Sequence, residues 1–204
     1  MDNKLKDIVD KSCKLFRRYG IKSVSMDDIA RECGISKKTL YESVKDKQEL
    51  VKKVIDSEYN KDSHAPHTVD FSNANAIDIL FLVYKSAIDF FKDFNMSMEY
   101  DLRKYYPNLY EKNIKRRREH IYQKMVMNME QGRKEGSFRT DFNIDIIARL
   151  HILKIEGLLQ SDIFEDTNYS IVEMFKELFI HHFMGIASPK GIDLFNKKLK
   201  ELEL

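Results

Sequence analysis

Glu32–Leu50 reads "ECGISKKTLYESVKDKQEL", a stretch that breaks a helix-forming pattern twice in quick succession. Gly34 tolerates the left-handed backbone that ends a helix, and Ser36 is suited to cap a new one running from about Lys37 to Val44. Asp46 opens a third start, with Glu49 at its third position. Upstream, Ser25 precedes "MDDIAREC" with Asp28 three residues on, the spacing of a capping box. Ile29, Ala30 and Cys33 form the inward face of that short helix, and Ile35 and Leu40 anchor the next. The stretch therefore predicts two short helices joined by a tight glycine turn.

Longer helices brace them. Leu5, Ile8, Val9, Ser12, Leu15, Phe16 and Tyr19 repeat at helical spacing before Gly20. Leu50, Val51, Val54, Ile55 and Tyr59 do the same after Asp46. Past a polar loop at 64–75 the pattern stays helical. Ile77, Leu80, Phe81, Tyr84, Ile88 and Phe91 form one stripe, while Ile79, Leu82, Val83, Phe90 and Phe94 fill the other side. A helix apolar nearly all round is expected to be buried. Pro107 precedes a long helix carrying Ile114, Ile121, Tyr122, Met125 and Met129, closed by Gly132 and Gly136. Helices over about Asp145–Gln160 and Asn168–Gly185 and an amphipathic tail complete an all-α reading.

Composition agrees. The 204 residues are 43% hydrophobic and 33% charged, with only 7 Gly and 3 Pro, which favours long helices over many short strands. Cys13 and Cys33 offer neither a disulfide framework nor metal-ligand spacing. The start lacks an apolar signal core and the longest apolar run, Ile79–Tyr84, is too short to cross a bilayer, so a cytoplasmic protein without a membrane partner is expected. Residues 1–53 hold 14 Lys and Arg against 9 Asp and Glu, leaving 21 against 24 beyond them. A basic first quarter on an acidic body points to a polyanion at one end only.

That end explains the two lysines. In a helix-turn-helix the second helix enters the major groove N-terminus first. Its leading residues must reach base edges or phosphate, and Lys37 and Lys38 stand there. Thr39 suits a phosphate or a thymine methyl, and Tyr41 offers its hydroxyl to phosphate one turn on. Lys47 sits at a helix start, where free N–H groups already favour an anion. The competing reading, lysines on a solvated connector, lacks any reason for the glycine, both caps and the apolar anchors to coincide. The expected DNA-binding set is Ser25, Ser36, Lys37, Lys38, Thr39, Tyr41 and Lys47.

Phe16–Val51, "FRRYGIKSVSMDDIARECGISKKTLYESVKDKQELV", resembles the DNA-binding domain of TetR-family transcriptional regulators. Matching features are Phe16 and Gly20 closing the first helix, Ser25, the Ile29-Ala30 pair, Gly34-Ile35-Ser36, Thr39-Leu40-Tyr41, and Lys47 with Glu49 before Leu50. Many relatives carry glycine where this chain has Lys38, and an aromatic where Val44 stands. The resemblance implies a DNA-binding domain over 1–50 and a helical ligand-binding and dimerisation domain over 51–204. It also implies that the last two long helices form a four-helix interface with a second copy.

For that interface the sequence offers Ile146, Leu150, Leu153, Gly157, Phe175, Phe179 and Phe183, among more apolar positions than one small core needs. Tyr84, Ile88, Leu102, Tyr106, Ile121, Met125, His151 and Phe175 are candidates for an effector pocket, although stripes of this kind also build ordinary cores. His64 and His67 read as solvated, and "KRRRE" at 115–119 as a solvated basic face. His151, His181 and His182 read as structurally satisfied histidines. No Gly-rich phosphate loop, nucleophile–base order or carboxylate pair marks an enzyme, and no cofactor is expected. The expectation is a homodimeric repressor, released from a palindromic double-stranded DNA operator by a small, largely apolar effector of unknown identity. The rivals are a ligand-free DNA-binding activator or architectural factor, and a helical small-molecule binding protein with a vestigial helix-turn-helix.

Overall fold

A computed structural model describes residues 3–62, 74–92, 96–160, 163–164 and 166–201, with the side chains at 59–62, 90–92, 96 and 159–160 left aside. His64, His67, Phe94 and the side chains of Tyr59, Phe90 and Phe91 therefore lie outside the described residues. The helices are α1 (Asn3–Tyr19), α2 (Met26–Cys33), α3 (Lys37–Ser43), α4 (Lys47–Asp62), α5 (Ala76–Lys92), α6 (Met96–Tyr105), α7 (Pro107–Lys134), α8 (Ile144–Gln160), α9 (Ile171–Ile186) and α10 (Pro189–Glu201). The fold is all-α. None of these helices is long and apolar enough to cross a membrane.

The chain packs as two units, Met1–His64 with Asp93–Arg117, and Ala65–Lys92 with Arg118–Leu204. In the first, Ile8, Val9 and Phe16 of α1 meet Ile29 of α2, Leu40 of α3 and Leu50, Val51 and Val54 of α4 in one buried cluster. Leu102 of α6 belongs to the same cluster. Beside it, Asp101 is buried and its Oδ2 accepts the Lys22 backbone N–H at 2.8 Å, fixing the turn between α1 and α2. The basic run of α7 is not a free solvated face. Arg116 pairs with Asp56 at 2.9 Å and Arg117 with Glu99 at 3.6 Å. Within the second unit, Arg118 makes a two-bond fork on Glu156 at 2.7 and 2.8 Å. Guanidinium and carboxylate match as planar partners, which the one-dimensional charge run conceals.

In the second unit α5 turns Ala76, Ile77, Leu80, Phe81 and Tyr84 inward, while Val83 stays 42% exposed, so burial follows one stripe rather than the whole circumference. The inward stripe meets aromatic rings from α9 and α10. Tyr84 and Phe179 lie 4.4 Å apart, Phe81 and Phe195 4.9 Å, and Phe183 and Phe195 4.0 Å. Phe175, Phe179 and Phe183, expected at an interface between copies, are thus buried inside a single chain. They fill the core that α5 and the tail helix complete. α9 starts later than its apolar pattern suggests, because Ser170 and Glu173 form a capping box that sets its first turn.

The tail helix is docked by a close backbone approach. Ser137 accepts the Ser188 N–H through its carbonyl at 3.0 Å, and a Cβ on Gly191 would lie 2.0 Å from that same oxygen. Gly191→Ala must therefore push α10 off the 137–138 segment, since a backbone carbonyl offers no rotamer to relax. It should cost about 1–3 kcal/mol, read as a lower unfolding midpoint.

α8 lies on α9 with two imidazoles between them. The His151 and His182 rings are 4.3 Å apart, and among the described residues the buried His151 Nδ1 and His182 Nε2 have no hydrogen-bond partner. His181 instead sits outside, 3.4 Å from the Lys154 ammonium. Burial, then the Lys154 charge, pushes His151 down to about 4. Burial, then the His151 neighbour, pushes His182 down to about 3. Both therefore fold neutral. Their contribution is complete above the unfolded value near 6.5 and is lost as pH falls, because the unfolded chain binds protons that the native one refuses. Stability should fall by about 1 kcal/mol per histidine for each pH unit between 6.5 and 5. Urea unfolding across that range checks it, with His182→Phe expected to halve the slope.

Candidate nucleic-acid interface

The helix-turn-helix is assembled from caps upward. The Ser25 hydroxyl accepts the Asp28 N–H at 3.2 Å and the Asp28 carboxylate accepts the Ser25 N–H at 2.9 Å. These Ser25 bonds hold the Asp28 carboxyl below its ordinary range. Gly34 ends α2 at φ 68°, the left-handed conformation that side chains resist, while Ile35 N–H returns to the Ala30 carbonyl at 3.0 Å. Ser36 then accepts the Thr39 N–H at 3.0 Å and shares a 2.9 Å hydroxyl contact with Thr39 Oγ1. Asp46 accepts the Glu49 N–H at 2.8 Å, and Glu49 accepts the Lys45 N–H at 2.7 Å.

Leu40 is fully buried beneath α3, so the opposite face must be outward. Lys37, Lys38 and Tyr41 are exposed, Tyr41 by 43%. Lys37 is held by Asp27 of α2 at 2.9 Å in a pair more than half exposed at both ends. That bond raises the Lys37 ammonium above its ordinary value, so the cation stays fully charged. A solvent-exposed pair exchanges readily for a stronger anion. Lys47 is half-buried at the start of α4 and donates to the Lys22 carbonyl at 3.5 Å. Burial lowers its value, against the opposing charges of Asp101 and Asp28.

Serine hydroxyls at 25 and 36 are thus committed to helix caps, and the cationic surface comes from Lys37, Lys38 and Lys47 around Tyr41. Sequence reasoning missed three contributors: Asp27 as the tether of Lys37, and Asp101 and Leu102 on α6 as supports of the helix-turn-helix. Asp101 meets its Lys22 partner across a separation of 79 residues, which no local pattern announces.

The other singled-out residues divide between the units. Leu102 and Tyr106 pack with the first unit's core. In the second, Tyr84 and Phe175 stack at 5.9 Å, Met125 is buried, Ile88 and Ile121 are half-buried, and His151 faces His182. Ile146, Leu150 and Leu153 are 54%, 43% and 63% exposed along one face of α8, with Gly157 on the same face. Among the described residues no three His, Cys, Asp or Glu side chains gather as metal ligands.

Residues 8–54 match the family described as bacterial regulatory proteins, tetR family. No match was found among curated proteins. Among solved structures, a transcriptional regulator from Cytophaga hutchinsonii ATCC 33406 superposes with TM-score 0.75 at 18% identity, covering 92% of this chain and 100% of that one. A TetR-family regulator from Cytophaga hutchinsonii gives 0.71 at 18% identity over 93% and 97%. A protein from Saccharomonospora viridis solved in complex with choline gives 0.68 at 21% identity over 92% and 100%. At these identities the likeness speaks for the fold. Family match and capped helix-turn-helix converge on residues 8–54: this segment matches the tetR family of bacterial regulatory proteins, and the chain as a whole shares the fold of the solved regulators above.

Proposed function

We propose that the chain acts in the cytoplasm as a homodimeric repressor, released from a palindromic operator by a small, largely apolar molecule. The observation that carries this reading is the exposed cationic face of α3, seated on the buried Leu40 and flanked by Lys47. Two such faces, related by a two-fold axis and spaced about 34–36 Å apart, enter successive major grooves. The exposed stripe of Ile146, Leu150 and Leu153 supports pairing of two copies through α8, because a solvated row of large aliphatic side chains gains free energy when covered. The Tyr84, Phe175 and Phe179 rings support an effector of apolar character in the second unit. Release requires that the effector bind the DNA-incompetent geometry more tightly, since equal affinity shifts nothing.

Lys47→Ala should weaken binding to all duplexes alike and flatten the plot of log affinity against log salt by about one unit per protomer. Lys37→Ala should relax preference at one or two operator positions, costing about 1–3 kcal/mol per lost base contact, whereas Lys38→Gly should leave the preferred sequence intact. Selection from randomised DNA with both variants decides this, and a site rewritten by Lys38→Gly alone reverses the two roles.

The pairing has its own test. Leu153 is 63% exposed in the single chain, so Leu153→Glu should leave the protomer folded and yield monomers by sedimentation at micromolar concentration. Wild-type protein sedimenting as a monomer there would refute the dimer.

A further inference from the structure

α6 carries a feature that the helix-turn-helix does not use. Lys104 Nζ donates to the Tyr100 hydroxyl at 3.0 Å and lies 5.2 Å from the centre of that ring. The same ammonium is 5.6 Å from the centre of the Tyr105 ring, and Lys22 Nζ of the α1–α2 turn is 5.0 Å from it. Two like charges thus share one ring, in the order Tyr100, Lys104, Tyr105, Lys22. Tyr100 and Tyr105 are 49% and 39% exposed, and both lysines are exposed.

Like charges repel, so gathering them on one exposed ring raises the local positive potential. Among the described residues neither ammonium is paired with a carboxylate. Asp101, the acid facing this turn, is buried with its Oδ2 engaged by the Lys22 N–H. The phenol contacts raise both lysines above their ordinary value, so both stay charged. The strip is continuous with the surface assigned to DNA. Lys47, at the start of α4, donates to the carbonyl of Lys22 itself.

We propose that Lys22 and Lys104, with the hydroxyls of Tyr100 and Tyr105, form a second phosphate-binding strip that grips the DNA backbone outside the segment read by α3. The proposal rests on the reading of α3 and Lys47 as the DNA-binding surface. Ammoniums and phenol hydroxyls donate to phosphate oxygens without reading sequence. The strip therefore adds affinity and salt dependence and leaves operator preference unchanged. α6, counted by sequence among the helices of the body, becomes part of the DNA footprint.

The test uses the full-length protein and an operator selected from a randomised pool, prepared with and without long random-sequence arms. Anisotropy titrations over a range of KCl concentrations give the salt slope on each duplex. With arms, Lys22→Gln combined with Lys104→Gln should flatten the slope by about two units per protomer, since each lost phosphate contact removes about 0.9. Without arms, wild type and variant should coincide, and Lys104→Arg should keep the wild-type slope on both. An unchanged slope on the armed duplex, while Lys47→Ala flattens it, overturns the strip and leaves the assigned reading surface standing. Equal flattening on both duplexes overturns the flanking position. Wild-type protein that selects no duplex overturns the DNA-binding surface and the strip together. All four side chains touched by the strip are exposed, so a thermal melt confirms that the variants fold as the parent does.

Discussion

The helix-turn-helix unit depends on burying Leu40, Ile29 and Phe16 against one another. α2 has eight residues and α3 seven, lengths at which an isolated helix in water does not hold. Caps at Ser25 and Ser36 satisfy the first-turn donors, but each contributes only about 1 kcal/mol. What remains must come from tertiary packing. α1, α4 and Leu102 of α6 supply it by closing a core on three sides of the pair. The solvent face of α3 is then free to be chosen for its partner alone, and lysines and a tyrosine occupy it.

Charge around that face is arranged as a set of exchangeable partners. Asp27 holds Lys37 and the Lys22 carbonyl holds Lys47, so neither cation is left to wander when DNA is absent. Both pairings are exposed or long, and thus weak against a phosphate. Asp101 differs. It is buried, its oxygen is committed to a backbone N–H, and its role is to set the turn on which Lys22 stands.

The second unit buries a cluster of phenylalanines and leaves an aliphatic row on α8 in solvent. Phe81, Phe179, Phe183 and Phe195 interlock, whereas Ile146, Leu150 and Leu153 stand in solvent on α8. The unpartnered nitrogens of His151 and His182 sit between α8 and α9, where a polar group costs free energy unless bonded. The helix that carries the exposed aliphatic row, α8, therefore also carries one of these two imidazoles, His151.

Much of the first unit was legible by itself. Its helix starts, glycine turn and apolar anchors are local signals, because capping and the left-handed turn act within three or four residues, and Gly34, Ser25 and Ser36 stand where those rules require. The cationic surface was legible for the same reason, since a helix whose one face is buried leaves only the other for Lys37, Lys38 and Tyr41. Tertiary structure decided the rest. An apolar pattern tells that a side chain wants cover but not which element provides it. Phe175, Phe179 and Phe183 are expected from sequence at an interface, and only the tertiary structure shows that α5 and α10 rings pack on them within one chain. Arg116, Arg117 and Arg118 read as a solvated run until three carboxylates from distant segments met them. Lys22 and Lys104 lie far apart along the chain, and only the docking of α6 on the α1–α2 turn puts both ammoniums on one tyrosine ring.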